Sequence, residues 1–317
     1  MGISRKEALE CFQSNDLIGV GMEADAVRHR LHPEGVVSYA IECTIDCAAL
    51  TSNAKLGSKA GENALSGICD AIRETVEQGS TGVRLVNCLR SVSKPRDIEC
   101  FEEILRGVRQ RFPSLWLEGL SSDEIVALAA GCGLELRQII ARLHEAGLNS
   151  IASDDRQPKC NVAEWIAVHR AAHGLGMPTV ATMAFGAGET SEQRVDLLTA
   201  IRQLQEETRG FAVFIPVAAE AASGRELDAV TAVEQLKTLA IARIFLDNIE
   251  NIQWSGAAQG LKVLQTGLRF GANDAGSVTS QANATNRTTE EDLRHIIRDA
   301  GFQPVQRDTS YRTMFMN

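Results

Sequence analysis

Short β-branched runs alternate with amphipathic stretches along nearly the whole chain, and no low-complexity linker interrupts them. The runs VVSYAIE (36–42), TGVRLVNC (81–88), LWLEGL (115–120), NSIAS (149–153), PTVATMAF (178–185), FAVFIPVA (211–218), ARIFLDN (242–248) and GLRFGAN (267–273) have the length and composition of strands. Between them, helical periodicity covers 61–78, 97–111, 122–146 with a break at Gly131-Cys132-Gly133, 161–175, 189–207, 228–240, 256–265 and 288–300. Ser121 with Glu124 has capping-box spacing, and Thr190 precedes a polar first turn. Parallel strands need crossovers, and a helix after each strand is the usual crossover, so this alternation predicts a parallel sheet. Eight such units in 317 residues predict an α/β fold, a TIM-like (β/α) barrel that is closed or nearly closed. The chain is expected to be one domain: an N-terminal helical segment over 1–35 with an additional helix at 4–13, the barrel over 36–286, and a C-terminal helix and tail over 287–317.

Composition excludes several classes of partner. The net charge is -9 and no Lys/Arg cluster stands out, which disfavours nucleic acid, because phosphate binding needs clustered cations. The N-terminus lacks an apolar h-region, and no apolar run nears the roughly 18 residues that span a bilayer, so no membrane association and a cytoplasmic location are expected. The eight cysteines show no small-domain spacing and read as reduced, mostly buried hydrophobes.

In a barrel, chemistry gathers where the strands end. The polar residues just after the strands are Glu42, Cys43, Arg90, Glu118, Asp154, Asp155, Glu189, Glu220, Asn248, Gln253 and Asp274. Glu42, Arg90, Glu118 and Asp154 suit acid–base or ion-pairing work. The glycine-rich GAGE turn at 186–189 opens a helix, where backbone N–H groups can hold an anion or ribose oxygen. Many such residues serve only as caps. His169 and His173 share a helical face at i and i+4, but without H-E-x-x-H they predict a half-exposed face and no zinc site.

The phrases GLRFGANDAGS (267–277), RTTEEDLRHIIRDAGFQPVQRDTSYR (287–312), LDNIENIQW (246–254), FAVFIPVA (211–218) and EAGLNSI (145–151) resemble the radical SAM enzymes of the menaquinone futalosine route, nearest cyclic dehypoxanthinyl futalosine synthase. The resemblance runs from residue 25 to Arg312 and implies the radical SAM type of barrel. It also implies ligand contacts from Gly186, Glu189, Thr190, Asn248, Gln253, Asn273 and Asp274, which match retained family phrases or lie beside them.

The same resemblance implies a loop of form C-x3-C-x2-C after the first strand, holding a [4Fe-4S] cluster through three thiolates with one iron open to S-adenosylmethionine. Aligned on Tyr39, those positions fall on Thr51, Lys55 and Ser58, none a thiol. Cys43-x3-Cys47 lies too early, and its own register offers Leu50 as third ligand. A nonstandard site of Cys43, Cys47 and Cys88 remains as an alternative. Further departures are Asn87-Cys88-Leu89-Arg90-Ser91 for the family's glycine-rich phrase, Ala152-Ser153-Asp154 for a glycine triplet, Ala187 for a histidine and Gln281-Ala282 for an acidic pair.

The expectation is therefore a cluster-less homologue, with no resident cofactor and a [4Fe-4S] cluster disfavoured. Its barrel mouth would take a small nucleoside-like or carboxylated ligand, S-adenosylmethionine or a related nucleoside included, with non-radical catalysis open. Two alternatives stand beside it: a non-catalytic partner of an authentic radical SAM enzyme, and a radical SAM enzyme with a nonstandard cluster. A homo-oligomer is compatible with each.

Overall fold

The structure is a computed structural model and describes residues 2–47, 59–87, 98–152, 160–219, 230–255, 260–279 and 288–314. Two helices open the chain, α1 (Arg5–Gln13) and α2 (Leu17–Leu31). Then come β1 (Val36–Asp46), α3 (Lys59–Glu77), β2 (Gly82–Val86), α4 (Ile98–Arg111), β3 (Trp116–Gly119), α5 (Ser122–Cys132), α6 (Leu136–Ala146) and β4 (Ser150–Ile151). The second half holds α7 (Val162–His173), β5 (Thr179–Phe185), α8 (Ser191–Thr208), β6 (Phe211–Ala218), α9 (Ala232–Phe245), β7 (Asn251–Ile252), α10 (Leu261–Gly267), β8 (Asp274–Thr279), α11 (Glu290–Asp299) and β9 (Gln303–Gln306).

All named strand pairs are parallel, in the order β4-β3-β2-β1-β8 and, separately, β5-β6-β7. A parallel bridge between Gln253 and Asp274 joins the two sheets, and across the β4/β5 seam the Ser150 hydroxyl donates to the Pro178 carbonyl at 2.9 Å. The barrel expectation holds in this nearly closed form. β9 pairs with Val36–Tyr39 of β1 while β2 pairs with Cys43–Asp46. Because β8 already occupies β1 opposite Ser38, β9 must share β2's edge and fill the space beneath that strand.

Each strand turns alternate side chains in and out. Tyr39 of β1 points outward, where its hydroxyl donates to Glu290 of α11 at 2.7 Å, and Cys43, Ile45 and Cys47 pack with Ile68, Ile72 and Phe101 of α3 and α4. Inward lie Ser38, Glu42, Thr44 and Asp46; Thr44 is in register with Arg84 of β2, and Arg84 with Glu118 of β3. A second, larger core packs α8, α9, α1 and α2 against β5 and β6. No helix among the described residues is long and apolar enough to cross a membrane.

Three expectations are corrected. ARIFLDN is the end of α9 and the turn after it; from Leu239 to Leu246 every residue is buried, so the run lacks an exposed face and mimics a buried strand. GLRFGAN is the end of α10 with the turn that follows, in which Leu268, Phe270 and Ala272 alternate into the core and Gly271 has φ of 104°. The strands in those places are the two-residue β7 and the Asp-Ala-Gly-Ser start of β8, and β9 is an additional strand in what was expected to be tail.

Candidate functional site

β1 to β3 build a charged wall inside the barrel. Arg84 and Glu118 are cross-strand partners, with Arg84 Nε at 3.1 Å from Glu118 Oε1. Glu118 is buried, so its charge depends on such pairing. Asp46 accepts from Asn87 Nδ2 at 3.0 Å, and Asn87 has φ of 55°, a conformation asparagine tolerates better than most residues. Asn87 thereby takes over a backbone position where the resemblance expects glycine.

The opposite side of the lumen is apolar. Val180 of β5 with Val213 and Ile215 of β6 forms a small cluster of its own, joined by Val217 and Tyr311. Thr182 shares the Val180 face of β5; its Oγ1 is buried and has no hydrogen-bond partner among the described residues.

Below these walls the chain's end closes the barrel. Arg307, which follows β9, is 1% exposed and its guanidinium grips both oxygens of Asp274, itself fully buried. Asp274 also accepts from Ser38 Oγ at 2.6 Å and from the Gly276 amide at 2.9 Å. The same guanidinium reaches Glu42 Oε1 at 3.4 Å and Gln253 Oε1 at 3.3 Å, and its Cζ sits 3.8 Å from the centre of the Tyr311 ring. The Tyr311 hydroxyl donates to Gln253 Oε1 at 2.6 Å. Burial alone would weaken the Arg307 charge, but Asp274, Tyr311 and Glu42 outweigh it and hold the guanidinium more firmly protonated than usual. Burial pushes the Tyr311 phenol well above its ordinary value despite Arg307.

The expected site residues thus separate into groups. Glu42, Glu118, Gln253 and Asp274 come together in the lumen, the last two in its floor. Asn273 lies at the foot of β8, its Oδ1 accepting from Arg243 at 3.0 Å and from the Ile252 amide at 2.8 Å. Asn248 lies under the barrel, where Nδ2 donates to the Arg202 carbonyl at 3.0 Å. Glu189 folds back to accept from the Gly186 and Ala187 amides at 2.6 and 2.9 Å and from Arg194 Nε at 2.6 Å. Burial raises its carboxyl, but these donors prevail and lower it below the ordinary value. Thr190 is the N-cap of α8. Gly186 has φ of 89°, and a Cβ there would meet Val230 at 2.1 Å. Arg90, Asp154, Thr51, Lys55, Ser58 and Cys88 lie outside the described residues.

Arg84, Thr182, Arg307 and Tyr311 were not among the expected site residues. Inward alternation along β2 and β5 is a signal for the first two; the last two depend on β9, which lies in the stretch expected to be tail. Of the two histidines expected on a half-exposed face, His169 is buried instead, while His173 is partly buried. His169 is 2% exposed, with Nδ1 at 2.8 Å from Thr179 Oγ1, and His173 is held between Thr208 Oγ1 at 2.7 Å and Thr179 Oγ1 at 2.8 Å. They join α7 to β5 and α8 as interior packing.

A nearly closed barrel with a charged lumen defines the class, and comparison with solved structures agrees. The fold resembles methylornithine synthase at a TM-score of 0.65 and 13% identity, covering 96% of this chain and 94% of that one. It also resembles HydG, a maturase of the [FeFe]-hydrogenase, at 0.63 and 12%, over 96% and 72%. This is the radical SAM type of barrel. Within that class, the chain belongs to the family that includes cyclic dehypoxanthine futalosine synthase: it is 31% identical to the Streptomyces coelicolor protein of that name, over 99% of this chain and 86% of the relative. Aminodeoxyfutalosine synthase of Thermus thermophilus is 28% identical over 98% and 92%, and residues 208–316 match the family model described as CofH/MqnC C-terminal region.

Membership corrects the cofactor expectation. Against the expectation of no resident cofactor and a disfavoured cluster, the family the chain belongs to works with a [4Fe-4S] cluster and S-adenosylmethionine, so this pair is what membership implies. The described residues do not fit as its holder. Cys43 and Cys47 are 1% and 0% exposed and turn out of the lumen into the layer under α3 and α4. Among the described residues no three Cys, His, Asp or Glu side chains gather as a metal site. Segment 48–58, which carries no thiol in its sequence, lies outside the described residues.

Proposed function

We propose that this member of the futalosine-pathway family binds a small nucleoside-like or carboxylated ligand in the barrel lumen, entering from the carboxyl ends of the strands. The observation that carries the reading is the buried hydroxyl of Thr182 on the lumen face of β5, which has no partner among the described residues, since buried polar atoms in folded proteins almost always have one. The two-sided lumen supports it: Glu42 and the Arg84–Glu118 pair suit sugar hydroxyls or a carboxylate, and Val213, Ile215 and Val217 suit a flat ring.

In this reading Glu42 accepts a hydrogen bond from the ligand and is the group placed to take a proton from it. Arg84 orients an acidic or carbonyl oxygen, with Glu118 fixing the guanidinium fork. Arg90 and Asp154, which follow β2 and β4 in the sequence, belong to the same proposal as acid–base or ion-pairing groups.

Isothermal titration calorimetry with cyclic dehypoxanthine futalosine, inosine and S-adenosylmethionine tests the reading. The expected result is saturable binding of at least one of them at one site, weakened about tenfold or more by Glu42→Gln through loss of a charged hydrogen bond. Absence of binding for all three, or unchanged affinity in Glu42→Gln and Arg84→Gln alike, overturns it.

A further inference from the structure

Glu42 faces the lumen with 23% of its side chain exposed, and among the described residues its ion-pair partner is Arg307 at 3.4 Å. Arg307 comes from the far end of the chain. It is locked from below by Asp274, from the side by Gln253 and from beneath its plane by the Tyr311 ring. Tyr311 is held in turn through its hydroxyl on Gln253, although its φ of 64° is costly for an aromatic residue. Thr309 braces the same turn, with its amide on Thr81 Oγ1 at 3.1 Å and its side chain filling the space over Gly82. Tyr311 also lines a cleft of about 630 Å³ on the underside, with Phe211, Asn251 and Arg312. The turn therefore separates the lumen from that cleft.

We infer that Arg307 is a positioning residue for the ligand site: seated by the turn 308–311, it aims the Glu42 carboxylate into the lumen, and the turn itself is the floor on which the ligand rests. The inference rests on the ligand-binding reading above and adds a part of the site that lies outside the strand ends. A guanidinium is needed because its fork engages Asp274 through two nitrogens while a third reaches Glu42; a lysine ammonium is a single point.

The test uses the full chain and two readouts. The sequence has two tyrosines, so in a Tyr39→Phe background the phenolate absorbance reports Tyr311 alone. A seated floor shifts that titration above the ordinary tyrosine range without any ligand, and a transition near pH 10 overturns the inference. The second readout is the dissociation constant for cyclic dehypoxanthine futalosine and inosine in Glu42→Gln, Arg307→Lys and the double variant. Each single change is expected to weaken binding about tenfold, and the double change no more than either, because both remove one interaction. Parent-like affinity in Arg307→Lys, with Glu42→Gln weakened, overturns the positioning role and leaves the ligand reading standing. If Arg307→Lys does not fold, Tyr311→Phe and Gln253→Ala replace it, and parent-like affinity in both has the same meaning. A high Tyr311 transition with no binding by the parent removes the ligand reading, and the role of Arg307 with it.

Discussion

Arg307 and Asp274 are worth more as a pair than either is alone. Two ions at 1% and 0% exposure have lost their water, and each is tolerable because the other replaces it. Among the described residues, Arg307→Gln leaves Asp274 buried with only Ser38 and the Gly276 amide, and it is expected to cost about 3–5 kcal/mol, read as a shift of the urea unfolding midpoint at pH 7.5. An unchanged midpoint would show that the pair is not buried in solution. Gly82 makes a contrasting point. Its backbone needs no special conformation, yet an ideal Cβ would lie 2.3 Å from Thr309 Oγ1, so Gly82→Ala is expected to destabilise by about 1–3 kcal/mol through overpacking. Adding Thr309→Ala should recover part of that loss, which separates a clash with the C-terminal turn from a change in β2 itself.

At the scale of elements, α7 is fastened to β5 and α8 through His169 and His173. Burial, and then His173, holds His169 well below its usual range, and burial brings His173 down to about 4. Both folded-state values lie below the unfolded histidine value of about 6.5. Between roughly pH 4 and 6.5 the unfolded chain therefore binds more protons, and stability falls as pH falls through that window. The slope is up to about 1.4 kcal/mol per pH unit for each histidine, with little dependence from them above pH 7. Urea midpoints at pH 7.5, 6.5 and 5.5 check this, and replacing His173 by Gln should flatten the profile below 6.5. The elements also show why some were readable. β5 and β6 have one helix-facing and one lumen-facing side and enough length to display both, so both were visible. Leu239 to Phe245 of α9, and Leu246 after it, are buried throughout between the sheet and α1 and α2, which erases the polar stripe that betrays a helix. β7 has two residues, too few for any period, and only its pairing to Val213 and Phe214 makes it a strand.

At the scale of the molecule, a lumen ligand that binds only the folded state should raise its stability. At a hundredfold excess over its dissociation constant, a ligand that binds only the folded state adds about 2.7 kcal/mol, which appears as a concentration-dependent rise of the calorimetric melting midpoint. A midpoint unmoved by cyclic dehypoxanthine futalosine, inosine and S-adenosylmethionine would count against a lumen site. The sequence by itself determined the parallel α/β class, because period-two runs between helical periods admit few other architectures, and it carried the family relation in long phrases such as FQPVQRDTSYR. It also placed Glu42 and Glu118 near the strand ends. Tertiary structure alone decided that Arg84 meets Glu118, that Glu189 is spent on its own loop and that Arg307 crosses the chain to reach Glu42. Local periodicity encodes which face of a segment is wet or dry, whereas a contact between residues 265 positions apart depends on how every intervening strand is registered.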